Sequence, residues 1–172
     1  GRGNPNNEDF AKAVGVLYSL AYAVKMMPKK GVTPEGYYEY SVFPLEGIWD
    51  LAPEARELEA LDKDSLTYTI MIRQPDFVTE EIAQRALEAA AKKTKHPLLS
   101  KVRFGCIEEG LCVQMLHIGS YDSEPASFAL MEEFCRANNM NRISKVHREI
   151  YLSDGRKTPA EKLQTVLRFK VE

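Results

Sequence analysis

Glu149 and Tyr151 stand two residues apart in the run His147-Arg148-Glu149-Ile150-Tyr151-Leu152, whose β-branched and aromatic content reads as a strand. Alternation along a strand puts Glu149 and Tyr151 on one face and Arg148, Ile150 and Leu152 on the other. A carboxylate beside a phenol is a chemically useful pair. The carboxylate can take a proton or orient a water, and the phenol can donate to an oxygen on which negative charge develops. If this face turns inward, an ionised Glu149 has lost its water and must be paired with a cation, hydrogen-bonded or protonated. Burial of that kind is costly, and perturbed titratable groups concentrate at functional sites. The alternative is a solvent-facing Glu149 paired with a nearby lysine.

Other residues could complete a pocket around this pair. Trp49, the single tryptophan, lies in the Pro/Gly-broken segment Pro44-Leu45-Glu46-Gly47-Ile48-Trp49, where a flat ring can wall a cavity and stack on an aromatic or cationic ligand. Ordinary core packing is the competing role. Tyr38, Tyr40, Tyr68, Tyr121 and Tyr151 form a tyrosine-weighted set suited to a site both apolar and hydrogen-bonding, and Met71 and Met115 would give it tolerance of shape. Glu39 shares a strand face with Tyr37, Ser41 and Phe43, and Glu46 sits beside the Gly47 break; both are candidate ligand carboxylates. His117, in His-x-Gly-x-Tyr, is a candidate base, though a lone strand histidine is more often a satisfied core residue. No Gly-rich phosphate loop, nucleophile elbow or Cys-His pair accompanies these residues, so neither a cofactor nor a metal is expected. Cys106 and Cys112 would face each other across a Glu108-Glu109-Gly110 turn. With three cysteines in all, reduced thiols in a cytoplasmic setting fit best.

The elements that must hold these residues follow from periodicity. Asn6 or Asn7 precedes a helix with Glu8 and Asp9 in its first turn and an apolar stripe Phe10, Val14, Leu17, Ala21, Val24, ending near Met27-Pro28. Strands are predicted over 37–43 and 66–73, with a bulge or loop at 44–49. Thr79 caps an alanine-rich helix to about Lys93, which connects to a hairpin of strands 102–107 and 111–118. Ser123 then caps a helix to about Asn138, and strands 145–152 and 163–171 close the chain. Laid over each other, the halves both read (strand)-helix-strand-strand, with Tyr38-Glu39-Tyr40 falling on Arg148-Glu149-Ile150-Tyr151 and Tyr68-Thr69-Ile70 on Gln164-Thr165-Val166. This is an internal repeat. The expected layout is one domain over 1–172: a first module at 1–75, a connecting helix at 76–97 and a second module at 98–172. The leading strand of the first module has no counterpart before Gly1-x-Gly3, so upstream residues completing it are expected.

A chain of 172 residues with 44% hydrophobic content can bury one core, and 23 basic against 25 acidic residues, a net charge of −2, disfavour nucleic acid as a direct partner. No apolar run is long enough for a membrane span, so no membrane association is expected.

In this order and spacing, Leu116-His117-Ile118-Gly119-Ser120-Tyr121, His147-Arg148-Glu149-Ile150-Tyr151-Leu152 and Thr165-Val166-Leu167-Arg168 resemble the GyrI-like family of small-molecule-binding domains. The first half, with Gly-x-Gly-Asn-Pro-Asn, Tyr-Tyr-Glu-Tyr and Pro-Leu-Glu-Gly-Ile-Trp, resembles its stand-alone members. The resemblance implies an α+β fold of duplicated β-α-β-β modules about a pseudo-two-fold, with antiparallel sheets flanking a central ligand cleft. It also implies hydrophobic, aromatic or cationic small-molecule partners, with a Glu at the Glu-Ile-Tyr position meeting cationic aromatic drugs. Three activities are compatible with it: hydrolysis of the cyclopropane warhead of DNA-alkylating natural products, non-catalytic drug sequestration or sensing, and gyrase inhibition.

Overall fold

The computed structural model describes residues 1–56 and 62–172. Among the described residues three α-helices and five strands follow in the order α1 (Glu8–Lys25), β1 (Leu45–Leu51), β2 (Leu66–Ile72), α2 (Glu80–Lys93), β3 (Cys112–Ile118), α3 (Glu124–Ala137), β4 (His147–Tyr151) and β5 (Gln164–Lys170). The fold is α+β. Helix ends follow local chemistry. Glu8 and Asp9 sit at the positive N-terminal end of α1 and Lys25 at its negative end, and Pro28 cannot continue the helix. The Thr79 hydroxyl accepts from the Ile82 N–H at 3.4 Å to open α2, and Pro125 occupies the first turn of α3, where no N–H is needed.

Two compact units share the chain. The first comprises Gly1–Asn4, Pro44–Ile70 and Glu108–Glu172. It contains the antiparallel sheet, in the order β2-β1-β4-β5-β3 with β2 as far as Ile70, and α3. Alternation along β5 buries Thr165, Leu167 and Phe169, the last two joining Val113, Met131, Cys135 and Val171 in a core between sheet and helix. Leu167, wholly buried, contributes about 1.5–3 kcal/mol by its burial. Strands β1 and β4 meet at the middle of the sheet, where Gly47 lies opposite Glu149 and Trp49 opposite His147. Gly1–Gly3 runs along β2: the Gly3 N–H donates to Leu66 O and the Tyr68 N–H to Gly1 O.

The second unit comprises Pro5–Phe43 and Met71–Ile107, with α1 against α2. Val24, Met27, Phe77, Val78 and Ala86 form one buried cluster and Val16, Ala90 and Leu99 another.

Two expected strands do not form. Residues 37–43 pair with no strand; the strand lies just downstream, at Leu45–Leu51, in the segment expected to be a bulge or loop. The aromatic residues that suggested a strand instead gather on Phe77: Tyr37, Tyr38 and Tyr40 place their rings 5.2, 5.4 and 5.8 Å from it, and the Lys25 ammonium donates to the Tyr40 carbonyl. Residues 102–107 likewise form no hairpin with β3. Val102 and Phe104 pack on the core of the second unit, while Glu109, expected in the turn, reaches Arg148 and Arg168. Cys106 and Cys112 are free thiols.

Candidate functional site

The face of β4 that carries Glu149 and Tyr151 turns inward. Glu149 is 8% exposed, and both its oxygens are engaged: the Tyr151 hydroxyl donates to Oε2 at 2.7 Å, and His147 Nε2 lies 2.9 Å from Oε1. Trp49 Nε1 donates in turn to the Tyr151 oxygen at 2.8 Å, so indole, phenol and carboxylate form a polarised chain. Gly47 makes this possible. A Cβ there would stand 2.5 Å from Trp49 Nε1, so the absence of a side chain opposite Glu149 lets the indole lie across the strand. Tyr68 packs on Trp49 at 5.3 Å, Tyr121 meets Tyr151 edge-on at 6.0 Å, and Phe128 meets His147 at 4.8 Å. Aromatic rings thus surround a buried carboxylate, with Tyr121 as their exposed member.

A second carboxyl joins the first. Glu124, in the first turn of α3, is 7% exposed, and its Oε1 is buried with no hydrogen-bond partner. Burial, and then the charge and hydrogen bond of Glu149, push its pKa up to about 9. At neutral pH Glu124 therefore holds a proton beside Glu149. Burial and the same Glu149 charge raise Tyr151 well above the usual phenol value and raise Tyr121 as well. The arrangement is a proton-bearing acid and a hydrogen-bonded carboxylate among aromatic rings.

Glu149, Tyr151, Trp49, Tyr68 and Tyr121, named from sequence, are brought together. The others lie elsewhere. Glu46 is buried on the opposite face of the sheet, where Arg148 Nε donates to it at 2.6 Å; Arg148 and Arg168 both reach Glu109, and Arg168 reaches Gln114. His117 is a satisfied core residue, its Nδ1 2.8 Å from Ser127 Oγ and its Nε2 3.0 Å from Ser120 O. Met115 packs against the sheet–helix core. Glu39, Tyr38, Tyr40 and Met71 belong to the second unit; Glu39 accepts from the Tyr37 hydroxyl, and the buried Tyr40 hydroxyl, without a hydrogen-bond partner, is pushed up to about 12 by burial. Sequence reasoning missed Glu124 and His147. Glu124 reads as an ordinary acidic first-turn residue, and only its burial under the influence of Glu149 distinguishes it. His147 shares the alternation that selected Glu149 and Tyr151, and that signal was present.

The model of the GyrI-like small molecule binding domain family matches residues 1–172. This chain belongs to the GyrI-like family. The domain is similar over its whole length to a hydrolase from Listeria innocua, with 38% identity and a TM-score of 0.87, covering 84% of that chain. It is equally similar to an uncharacterized conserved protein from Listeria innocua, with 39% identity, a TM-score of 0.90 and the same coverage. Comparison with curated proteins gives no match. Small-molecule binding is thus the established character of this GyrI-like domain. Among the described residues no helix is long and apolar enough to cross a membrane, and no group of three or more His, Cys, Asp or Glu is placed to hold a metal ion.

Proposed function

We propose that this GyrI-like domain binds aromatic small molecules beside Glu149 and hydrolyses a strained cyclopropane electrophile, protecting DNA from alkylating natural products. The observation that carries the reading is the buried Glu149 carboxylate, held at both oxygens within an aromatic shell. The similarity to a protein described as a hydrolase supports it. In a spirocyclopropyl dienone, water oxygen attacks the ring methylene and the C–O bond forms as a ring C–C bond breaks. The released electron pair moves into the dienone to give a phenolate oxygen. Glu149 takes the proton from water, and the phenolate is protonated, so the net change is addition of one water. Ring strain supplies much of the driving force, so a positioned base and exclusion of bulk water suffice. Tyr151, itself held by Trp49, orients the carboxylate.

A second reading, sequestration of a cationic drug without turnover, draws support from the buried negative charge among aromatic faces. One experiment separates the two. The protein and Glu149→Gln are incubated with a cyclopropane-bearing duocarmycin-type alkylator, ring-opened product is followed by mass spectrometry, and binding is followed by Trp49 quenching. Hydrolysis predicts multiple turnovers falling on the order of 10²–10⁴-fold in the variant, with binding retained. Binding without multiple turnovers by the unaltered protein would refute hydrolysis and leave sequestration.

A further inference from the structure

Glu149 can accept a proton from water, but the phenolate needs a proton from elsewhere. Tyr151 is poorly placed to give one: its hydroxyl hydrogen is directed at Glu149 and its oxygen accepts from Trp49. Glu124 is differently situated. Its carboxyl is buried, it feels the charge of Glu149, and its Oε1 has no partner among the surrounding groups. Two ionised carboxylates cannot share such a site without a cation between them, so the pair retains one proton. The charged and titratable groups around the pair are His147 and Tyr151 from β4, Tyr121 and Asp122 from the turn before α3, and Asp154 beyond β4. Of these, Asp122 acts directly on Glu124, Glu124 on Tyr151 and Asp154 on Tyr121; neither aspartate supplies positive charge, and His147 meets Glu149 at Oε1.

We propose that Glu124 and Glu149 work as a one-proton dyad in which Glu124 is the acid of the reaction, giving its proton to the phenolate oxygen as Glu149 takes one from water. The inference rests on the hydrolytic reading above. The balance closes: one proton leaves Glu124, one arrives on Glu149, one water is added to the ligand, and proton transfer between the two carboxyls resets the site. The substrate class narrows accordingly to neutral molecules bearing a conjugated carbonyl, which becomes the phenolate as the ring opens. The position of Glu124 on Pro125-bearing α3 fixes it without a long flexible tether. Its raised pKa keeps it protonated across the neutral range.

The test compares wild type, Glu124→Gln, Glu124→Asp and Glu149→Gln with a spirocyclopropyl dienone, measuring kcat from pH 6 to 10 and affinity by Trp49 quenching. Glutamine is isosteric with a protonated carboxyl, so it preserves the fold, and thermal melts at pH 6 verify this. The dyad predicts that Glu124→Gln lowers kcat on the order of 100-fold or more with affinity within about threefold. Wild-type kcat should fall as pH rises through about 9, and that limb should be absent from the residual activity of Glu124→Gln. Glu124→Asp should recover roughly tenfold of the loss. If Glu149→Gln is inactive while Glu124→Gln keeps its kcat, the acid role is overturned and the hydrolytic reading stands. Absence of turnover in the wild type would remove both.

Discussion

Adding one methyl group at Gly47 tests the geometry on which the whole site depends. In Gly47→Ala the new Cβ would lie 2.5 Å from Trp49 Nε1, 3.1 Å from Cε2 and 3.3 Å from Cδ1. These atoms belong to a rigid ring only 5% exposed, not to the free end of a mobile chain, so the indole must swing away. Overpacking of this kind costs about 1–3 kcal/mol, and loss of the Trp49–Tyr151 hydrogen bond adds about 1 kcal/mol. The expected destabilisation is therefore about 2–4 kcal/mol, read as a lowered midpoint in urea with an unchanged slope. Because Trp49 is the only tryptophan, its emission reports the same event directly and should shift to the red in the folded variant. In a Trp49→Leu background, where the ring is gone, the same methyl should cost less than about 1 kcal/mol. An unchanged midpoint and emission maximum in Gly47→Ala would refute the reasoning, as would an equal cost in both backgrounds.

Three further outcomes are expected. Glu124 is protonated in the folded state up to about 9 against an ordinary value of 4.5, so its contribution to stability is fully present below that ordinary value. It then declines by about 1.4 kcal/mol per pH unit as pH rises through the interval; Glu124→Gln should remove this slope in urea titrations at pH 6, 7 and 8, and an unaltered slope would contradict it. Arg148→Ala leaves Glu46 buried without its cation and should cost about 3–5 kcal/mol in chemical denaturation, whereas Arg148→Ala combined with Glu46→Gln should recover part of that loss. Ser127→Ala deprives His117 Nδ1 of its partner and should lower stability by about 1–3 kcal/mol while leaving ligand affinity, measured by Trp49 quenching, unchanged; lost affinity would return His117 to the site.

The α+β class, the three helices and strands β2 to β5 were readable because each has a strong local period or a clear stop. Pro28 ends α1, Thr79 opens α2, and alternation marks Glu149 and Tyr151 as sharing a face. The failures share one cause. Residues 37–43 have strand-forming side chains, but Tyr37, Tyr38 and Tyr40 serve the core around Phe77, so tertiary packing overrides local preference there. The strand facing β4 was hidden because Pro44 and Gly47 look like breakers. Pro44 stands just before the strand, and Gly47 is required by the close approach of Trp49. Register then makes Gly47 the residue opposite Glu149. Glu124 could not be distinguished from any other first-turn acid until its burial was known.

The same 102-residue separation joins Trp49 to Tyr151 and Glu46 to Arg148, one pair on each face of the β1–β4 seam. A second molecule offering its own β4 to this β4 in the equivalent register would set Glu149 against Glu149 and bring Arg148 toward Arg148. One contact would bury two like charges, and the other would leave two guanidinium groups without a carboxylate. A β1 docked on another β1 would place two Glu46 side chains together. Each strand therefore rejects a copy of itself and accepts the other, so the charges on the seam fix which strand β4 takes as its neighbour.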